Sequence, residues 1–256
     1  MSGKQAKRRR AAERQVQAPK VRGPQPRKRQ ASPRTLLISA AVIIVAAAAI
    51  GIGVAVAGSG SSSLKDVSAV RALLKGIPQH GNVLGSPTAP VTLVEYVDMQ
   101  CPYCDAFEKE VFPGLVRSYI RPGNVRMAIR PLAFIGPDSI RGRNAVVAAG
   151  RQNKFFNFMQ LLYENQGTEN TGWLNDAMVR RLAAAAGLNV AKHDADRKSA
   201  SVIKAAKAFD GLAKADRVHS TPTVFVGRTG GSLNEVQLNS PTDATSVVDA
   251  IQLASS

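Results

Sequence analysis

Residues 91–104 read V-T-L-V-E-Y-V-D-M-Q-C-P-Y-C. Val91, Leu93, Val94, Tyr96 and Val97 make the first half nearly continuous in apolar character, as expected of a strand covered on both faces. Cys101 and Cys104 are the only cysteines of the chain. Three apart, with Pro102 and Tyr103 between them, they can close into a small disulfide ring, and in an oxidising compartment that ring is transferable. If Cys101 opens the next helix, unpaired backbone N–H groups and the helix dipole favour its thiolate. A stabilised thiolate favours the reduced form and makes the disulfide a stronger oxidant.

The rival for a C-x-x-C pair is half of a zinc site. Zinc wants four ligands, and the other two would have to come from His80, His193 and His219, which have no matched spacing. No metal is therefore expected. His80 and His193 read as surface residues, and an approach of His219, three before Pro222, to the cysteines is the less favoured of its two readings. Glu95 interrupts the apolar strand. A charged, unpaired carboxylate there costs several kcal/mol, so its pKa is expected to rise. Its position can bring it beneath Cys104, and a solvent-facing pleat position or a salt bridge to a nearby arginine is the alternative.

The chain has 256 residues and a net charge of +16. That charge is concentrated. Residues 1–34 hold twelve basic side chains and one acid, for +11, and the remaining 222 residues carry +5. With Pro19, Pro24, Pro26 and Pro33 and almost no bulky apolar residue, 1–34 reads as a disordered basic tail. Leu36 to Ala57 contains only Leu, Ile, Val, Ala, Gly and Ser. As a helix those 22 residues span about 33 Å, enough to cross a bilayer core. A transmembrane helix is expected over 35–57, with the basic flank keeping the N-terminus cytoplasmic and the rest outside. A signal peptide cleaved after Ala57 is the alternative. Both readings place the globular part where a disulfide persists, and neither needs nucleic acid to explain the charge.

Residues 58–82 read as a linker and lead-in segment, with a short helix over Leu64–Lys75 and an edge strand at Val83–Gly85. After the cysteines, a helix carrying Phe107, Val111, Phe112, Leu115, Val116 and Tyr119 is expected to kink at Pro113. Val125, Met127 and Ile129 mark the next strand. About 137–218 reads as helical throughout, in three helices: one with Phe155, Phe156, Met159 and Leu162 in the core, one capped by Asn175 and stopped by Gly187, and one over Asp194–Leu212. Strands return at Thr223–Val226 and Val236–Leu238, followed by a helix over Ala244–Leu253.

The late strand opens on S-T-P-T-V-F-V, residues 220–226. Proline belongs at the start of a strand rather than inside it. A cis Thr221–Pro222 bond is expected here, leaving the Thr221 backbone free to pair with an extended substrate.

The order of strand, C-P-Y-C, kinked helix, strand, helical insertion, T-P-T, hairpin and helix resembles the thioredoxin fold of the DsbA-like thiol-disulfide oxidoreductases, over roughly 83–254. The fold class implied is α/β: a thioredoxin fold over 83–256 with a helical insertion, preceded by the basic tail and one transmembrane helix. Carried over by position, Cys101 resembles the attacking cysteine, Cys104 its buried partner, Pro222 the cis-proline and Thr221 the residue that tunes it. Glu95 matches the buried acid that handles the proton of Cys104. Thr221, Pro222, Pro102 and Tyr103 would meet substrate. The resemblance implies no cofactor, unfolded exported cysteine-containing proteins as substrates, and a membrane quinone-linked re-oxidase of the DsbB or vitamin-K-epoxide-reductase-like (VKOR-like) kind. The well-known oxidases carry Pro-His between their cysteines, and this chain carries Pro102-Tyr103. A reductase or isomerase on the same fold is the first alternative, and a membrane-tethered peptide-binding protein the second.

Overall fold

The structure is a computed structural model and describes residues 63–256. The expected basic tail, transmembrane helix and most of the serine-glycine linker lie outside the described residues. Among the described residues no helix is long and apolar enough to cross a membrane.

Six strands form one sheet: β1 (Gln79–His80), β2 (Val83–Leu84), β3 (Val91–Asp98), β4 (Val125–Leu132), β5 (Thr223–Arg228) and β6 (Asn234–Val236). Their spatial order is β1-β2-β4-β3-β5-β6. β3 runs parallel to β4, with Glu95 opposite Ile129, and antiparallel to β5, with Glu95 opposite Val224. All eight residues of β3 are buried, which explains the lack of alternation in its sequence. The residues of β3 divide between two cores. Val91, Leu93 and Val97 join the larger one, with Cys104, Phe107, Phe112 and Phe156. Val94 and Tyr96 join a smaller one with Leu132, Ala213, Val218 and Phe225.

The expected lead-in helix is α1 (Val67–Leu74). Val83–Leu84 is not an edge strand, because Gln79 and His80 pair outside it. That strand is two residues long and was too short to carry a periodic signal. After the cysteines come α2 (Pro102–Glu110), a four-residue helix α3 (Phe112–Leu115) and a π-turn over Val116–Ile120. The expected kink at Pro113 is instead a break at Val111. It leaves the proline in a first turn, where its missing N–H costs nothing.

The segment 137–218 is helical, as its composition suggests, but holds five helices rather than three. These are α4 (Pro137–Gly150), α5 (Phe155–Glu164), α6 (Asp176–Ala185), α7 (Val190–Asp196) and α8 (Ala200–Ala215). Asn153, with φ of 53°, separates α4 from α5. Ser199 caps α8 by accepting from Val202 N, which splits the helix expected over Asp194–Leu212. Asn175 caps α6 through Met178 N, as its sequence position indicates. Phe155, Phe156, Met159 and Leu162 are all in the core. The late hairpin strand is Asn234–Val236, two residues before the expected position, and α9 (Ala244–Ser255) closes the chain.

His193 is not a surface residue. It is buried against Phe158, with ring centroids 5.2 Å apart, and its Nε2 lies 2.8 Å from the Ala145 carbonyl. A histidine in a lysine- and aspartate-rich stretch reads as solvated, and only the packing of α7 on α4 turns it inward. Burial holds its pKa below the ordinary value.

Candidate active site

Cys101 is the cap residue of α2, with extended backbone angles, and Pro102 occupies the first helical turn. The Cys101 N–H donates to the Asp98 carbonyl at 3.0 Å, and its own carbonyl accepts from Asp105 N at 3.0 Å. The turn from strand to helix is thus closed on both sides of the sulfur. Both cysteines are free thiols. Cys101 is 5% exposed and Cys104 is fully buried one turn further in.

The Thr221–Pro222 bond is cis. The Thr221 carbonyl accepts from Cys101 Sγ at 3.3 Å, so residues 120 apart in sequence meet at one sulfur. Tyr103, 61% exposed, shares an open cleft of about 280 Å³ with Ser220, Thr221, Pro222, Leu238, Ser240 and Pro241. His219 does not line this cleft. It lies on an adjacent one with Phe134, Ile140, Lys214 and Arg217.

The two sulfurs are electrostatically unlike. A hydrogen bond from the Cys104 side chain, aided by the Tyr103 and Cys104 backbone N–H groups at the helix start, lowers the Cys101 pKa to about 6 against the opposing effect of burial. Burial pushes the Cys104 thiol well above its ordinary value, and the charges of Cys101 and Glu95 push it further. At neutral pH the arrangement favours a thiolate on Cys101 and a proton on Cys104.

Glu95 lies on the same face of β3 as this helix, fully buried. Burial raises its pKa first, the neighbouring Glu108 second and Cys101 least. Glu108 escaped the sequence reading. It sits four residues after Cys104 on α2 and is also fully buried. The spacing that turns it toward the same side was visible, but a glutamate on an amphipathic helix reads as solvent-facing.

Asp98 also escaped notice. Its Oδ1 accepts from Gln100 N at 2.9 Å and Ser139 Oγ at 2.6 Å, and its Oδ2 accepts from Phe134 N at 2.7 Å. The Asp98 carbonyl accepts from Tyr163 OH at 3.1 Å. One carboxylate therefore ties the end of β3 to the loop after β4 and to α4. Gly142 on α4 completes the fit, since a Cβ there would lie 2.6 Å from Met99 Cβ. Among the described residues, no cluster of three or more His, Cys, Asp or Glu side chains is placed to hold a metal ion.

A thioredoxin family profile matches residues 79–240, more than half of the chain. A probable disulfide bond formation protein D from Bacillus cereus is 35% identical over 98 residues, covering 38% of this chain and 45% of that relative. The chain thus matches about half of that curated relative's length. The solved structure of oxidised BdbD from Bacillus subtilis superposes with a TM-score of 0.61 at 21% identity, covering 70% of this chain and 97% of that one. That of alpha-DsbA1 from Wolbachia pipientis gives 0.58 at 20%, covering 71% and 92%. At such identities the superpositions speak for the fold. With a profile that runs from the first strand past Pro222, the chain belongs to the thioredoxin family.

Proposed function

We propose that the protein is an extracytoplasmic protein disulfide oxidoreductase that donates a Cys101–Cys104 disulfide to exported proteins. The observation that carries this reading is the split between the two sulfurs, with Cys101 lowered to about 6 at a helix start and Cys104 pushed up by burial. A pair divided in this way releases electrons poorly once reduced and gives up its disulfide readily.

In donation, a substrate thiolate attacks the sulfur of Cys101. The Cys101–Cys104 bond breaks and its electron pair goes to Cys104, which takes up a proton with the help of Glu95. The substrate is now joined to Cys101 by a mixed disulfide, held beside the Thr221 backbone and the Tyr103–Pro222 cleft. A second substrate thiolate attacks the substrate's own sulfur and expels the Cys101 thiolate. The substrate leaves with a disulfide, two electrons poorer. The dithiol is re-oxidised by a membrane partner, a quinone-linked protein of the DsbB or VKOR-like kind. No metal or organic cofactor takes part. The basic tail and apolar stretch before residue 58 support a single-pass anchor with the N-terminus in the cytoplasm.

Tyr103 favours a second reading. It cannot supply the positive charge that a histidine would bring beside Cys101, and a less stabilised thiolate suits a reductase. The glutathione redox equilibrium of the full-length protein separates the two. A potential of about −120 to −180 mV supports the donor, and a value near about −270 mV overturns it in favour of a reductase. A protein that only binds peptides would keep that binding in Cys101→Ala and Cys104→Ala.

A further inference from the structure

Glu108 is a fully buried acid that the scheme above leaves unused. Cys101, Cys104, Asp105 and Glu108 fall on one face of α2, at spacings of three and four. Glu108 and Glu95 are both without exposure to solvent. Neither oxygen of Glu95 meets a donor, and neither does Glu108 Oε1. The other oxygen of Glu108 accepts a hydrogen bond from Gln160 Nε2 on α5.

Each buried carboxyl acts on the protonation of the other, Glu108 raising the pKa of Glu95 and Glu95 lowering that of Glu108. As two carboxylates they have no hydrogen to share, and their charges repel where burial leaves them little screening. One proton removes both problems. An amide N–H stabilises a carboxylate, so the Gln160 bond places the charge on Glu108 and the proton on Glu95.

We propose that Glu95 and Glu108 form a carboxyl pair holding one proton between them, and that this pair, rather than Glu95 alone, exchanges the proton of Cys104. The inference rests on the redox reading of Cys101 and Cys104. Its consequence is clearest when Cys104 must lose a proton, in resolving a mixed disulfide. A Glu95 that already carries a proton accepts the Cys104 proton on one oxygen only as the proton on its other oxygen passes to Glu108. The Cys104 thiolate then attacks Cys101, and the substrate leaves as a thiolate. In donation the same proton moves the other way, from Glu95 to Cys104, and solvent restores it to the pair. Glu108 never touches sulfur. It acts through Glu95 and is a positioning residue for that group's proton.

Burial raises the Glu108 pKa to about 7. The ionisable groups facing it are Glu95 on β3, Asp105 on its own helix and Tyr163 on α5. Tyr163 stays neutral, because burial pushes its pKa up.

The test is a single-turnover measurement on the full-length protein. A mixed disulfide between Cys101 and glutathione is formed, and release of glutathione by Cys104 is followed from pH 5 to 9. In the wild type the rate rises through a step near pH 7, where Glu108 ionises. Glu108→Gln removes that step and slows release at neutral pH by roughly 10²-fold, the usual size of a lost proton-transfer group. Gln160→Met, which takes away the donor holding the charge, moves the step to higher pH. A purely structural role for Gln160 would not produce that upward shift, so this variant carries the test if Glu108→Gln fails to fold. A wild-type pH profile in the folded variants, with Cys101 and Cys104 still cycling, overturns the pair and leaves the function standing. A wild-type protein that forms no mixed disulfide overturns the function itself.

Discussion

The central strand β3 buries two ionisable side chains side by side in sequence, and it treats them in opposite ways. Tyr96 points into the smaller core. Its hydroxyl donates to Asp216 at 2.6 Å and accepts from Arg130, whose guanidinium lies 5.2 Å from the ring centroid. Arg130 also pairs with Asp216 at 2.7 Å. Glu95 points into the larger core and meets no donor at all. The first is a satisfied polar group that holds β3, β4 and the end of α8 together. The second has no partner for either oxygen, and burial favours its protonated form. A polar group whose bonds are all made contributes to stability, whereas one left without partners is a stored cost that chemistry can use.

The largest expected effect lies at the sulfurs. Cys101→Ala abolishes thiol-disulfide exchange, and Cys104→Ala stalls it at the mixed disulfide. Intact-mass analysis after incubation with oxidised glutathione checks this, since the Cys101 thiolate attacks the glutathione disulfide and expels one glutathione thiolate: the Cys104 variant accumulates the adduct and the Cys101 variant forms none. If Cys101→Ala kept exchanging, the active face of β3 would lose its meaning.

Glu95→Leu separates stability from activity. It removes an unsatisfied buried group, so the unfolding free energy rises by about 1–3 kcal/mol. Exchange that depends on the Cys104 proton slows by roughly 10²-fold. Denaturant titration and stopped-flow kinetics read the two effects. A destabilised Glu95→Leu would mean that the carboxyl is a structural group like Tyr96.

Tyr96→Phe is the mirror experiment. Loss of its hydroxyl lowers stability by about 1–2 kcal/mol and leaves the redox equilibrium unchanged. A changed equilibrium would show that the two faces of the strand are coupled.

The last effect is in pH. The Cys101 pKa is lowered in the folded protein, to about 6, against about 8.5 for a free thiol. Its thiolate therefore stabilises the folded reduced form above about pH 8.5, and this contribution is lost as pH falls through about 6. Thermal melts of the reduced and oxidised protein check it, since only the reduced form should show the change. Alkylation of Cys101 should follow the same midpoint.

Much of this division was legible in the residues. C-P-Y-C after an apolar strand, and a proline at the mouth of a later strand, have few folds that satisfy both. The unusual Glu95 stood out because it breaks an apolar run. Asn175 and Gly187 marked helix ends through local backbone chemistry alone. What stayed hidden shares one cause: it depends on partners distant in the chain. Glu108 and His193 sit on helices whose sequences look solvated, and only the packing of α5 and α4 against them removes water. Asp98 looked like the end of a strand until Ser139 and the Phe134 N–H closed around it.

By itself the sequence determined the elements whose signals are local: the central strand, the start of the active-site helix, the helical character of 137–218 and the site of the cis peptide. Backbone preferences, caps and apolar periodicity act within a few residues, and composition records them. Tertiary structure alone decided which acids lose their solvent and which keep a partner. Desolvation and hydrogen bonding are properties of a place rather than of a residue, and that place is assembled by helices and strands as much as 120 residues apart.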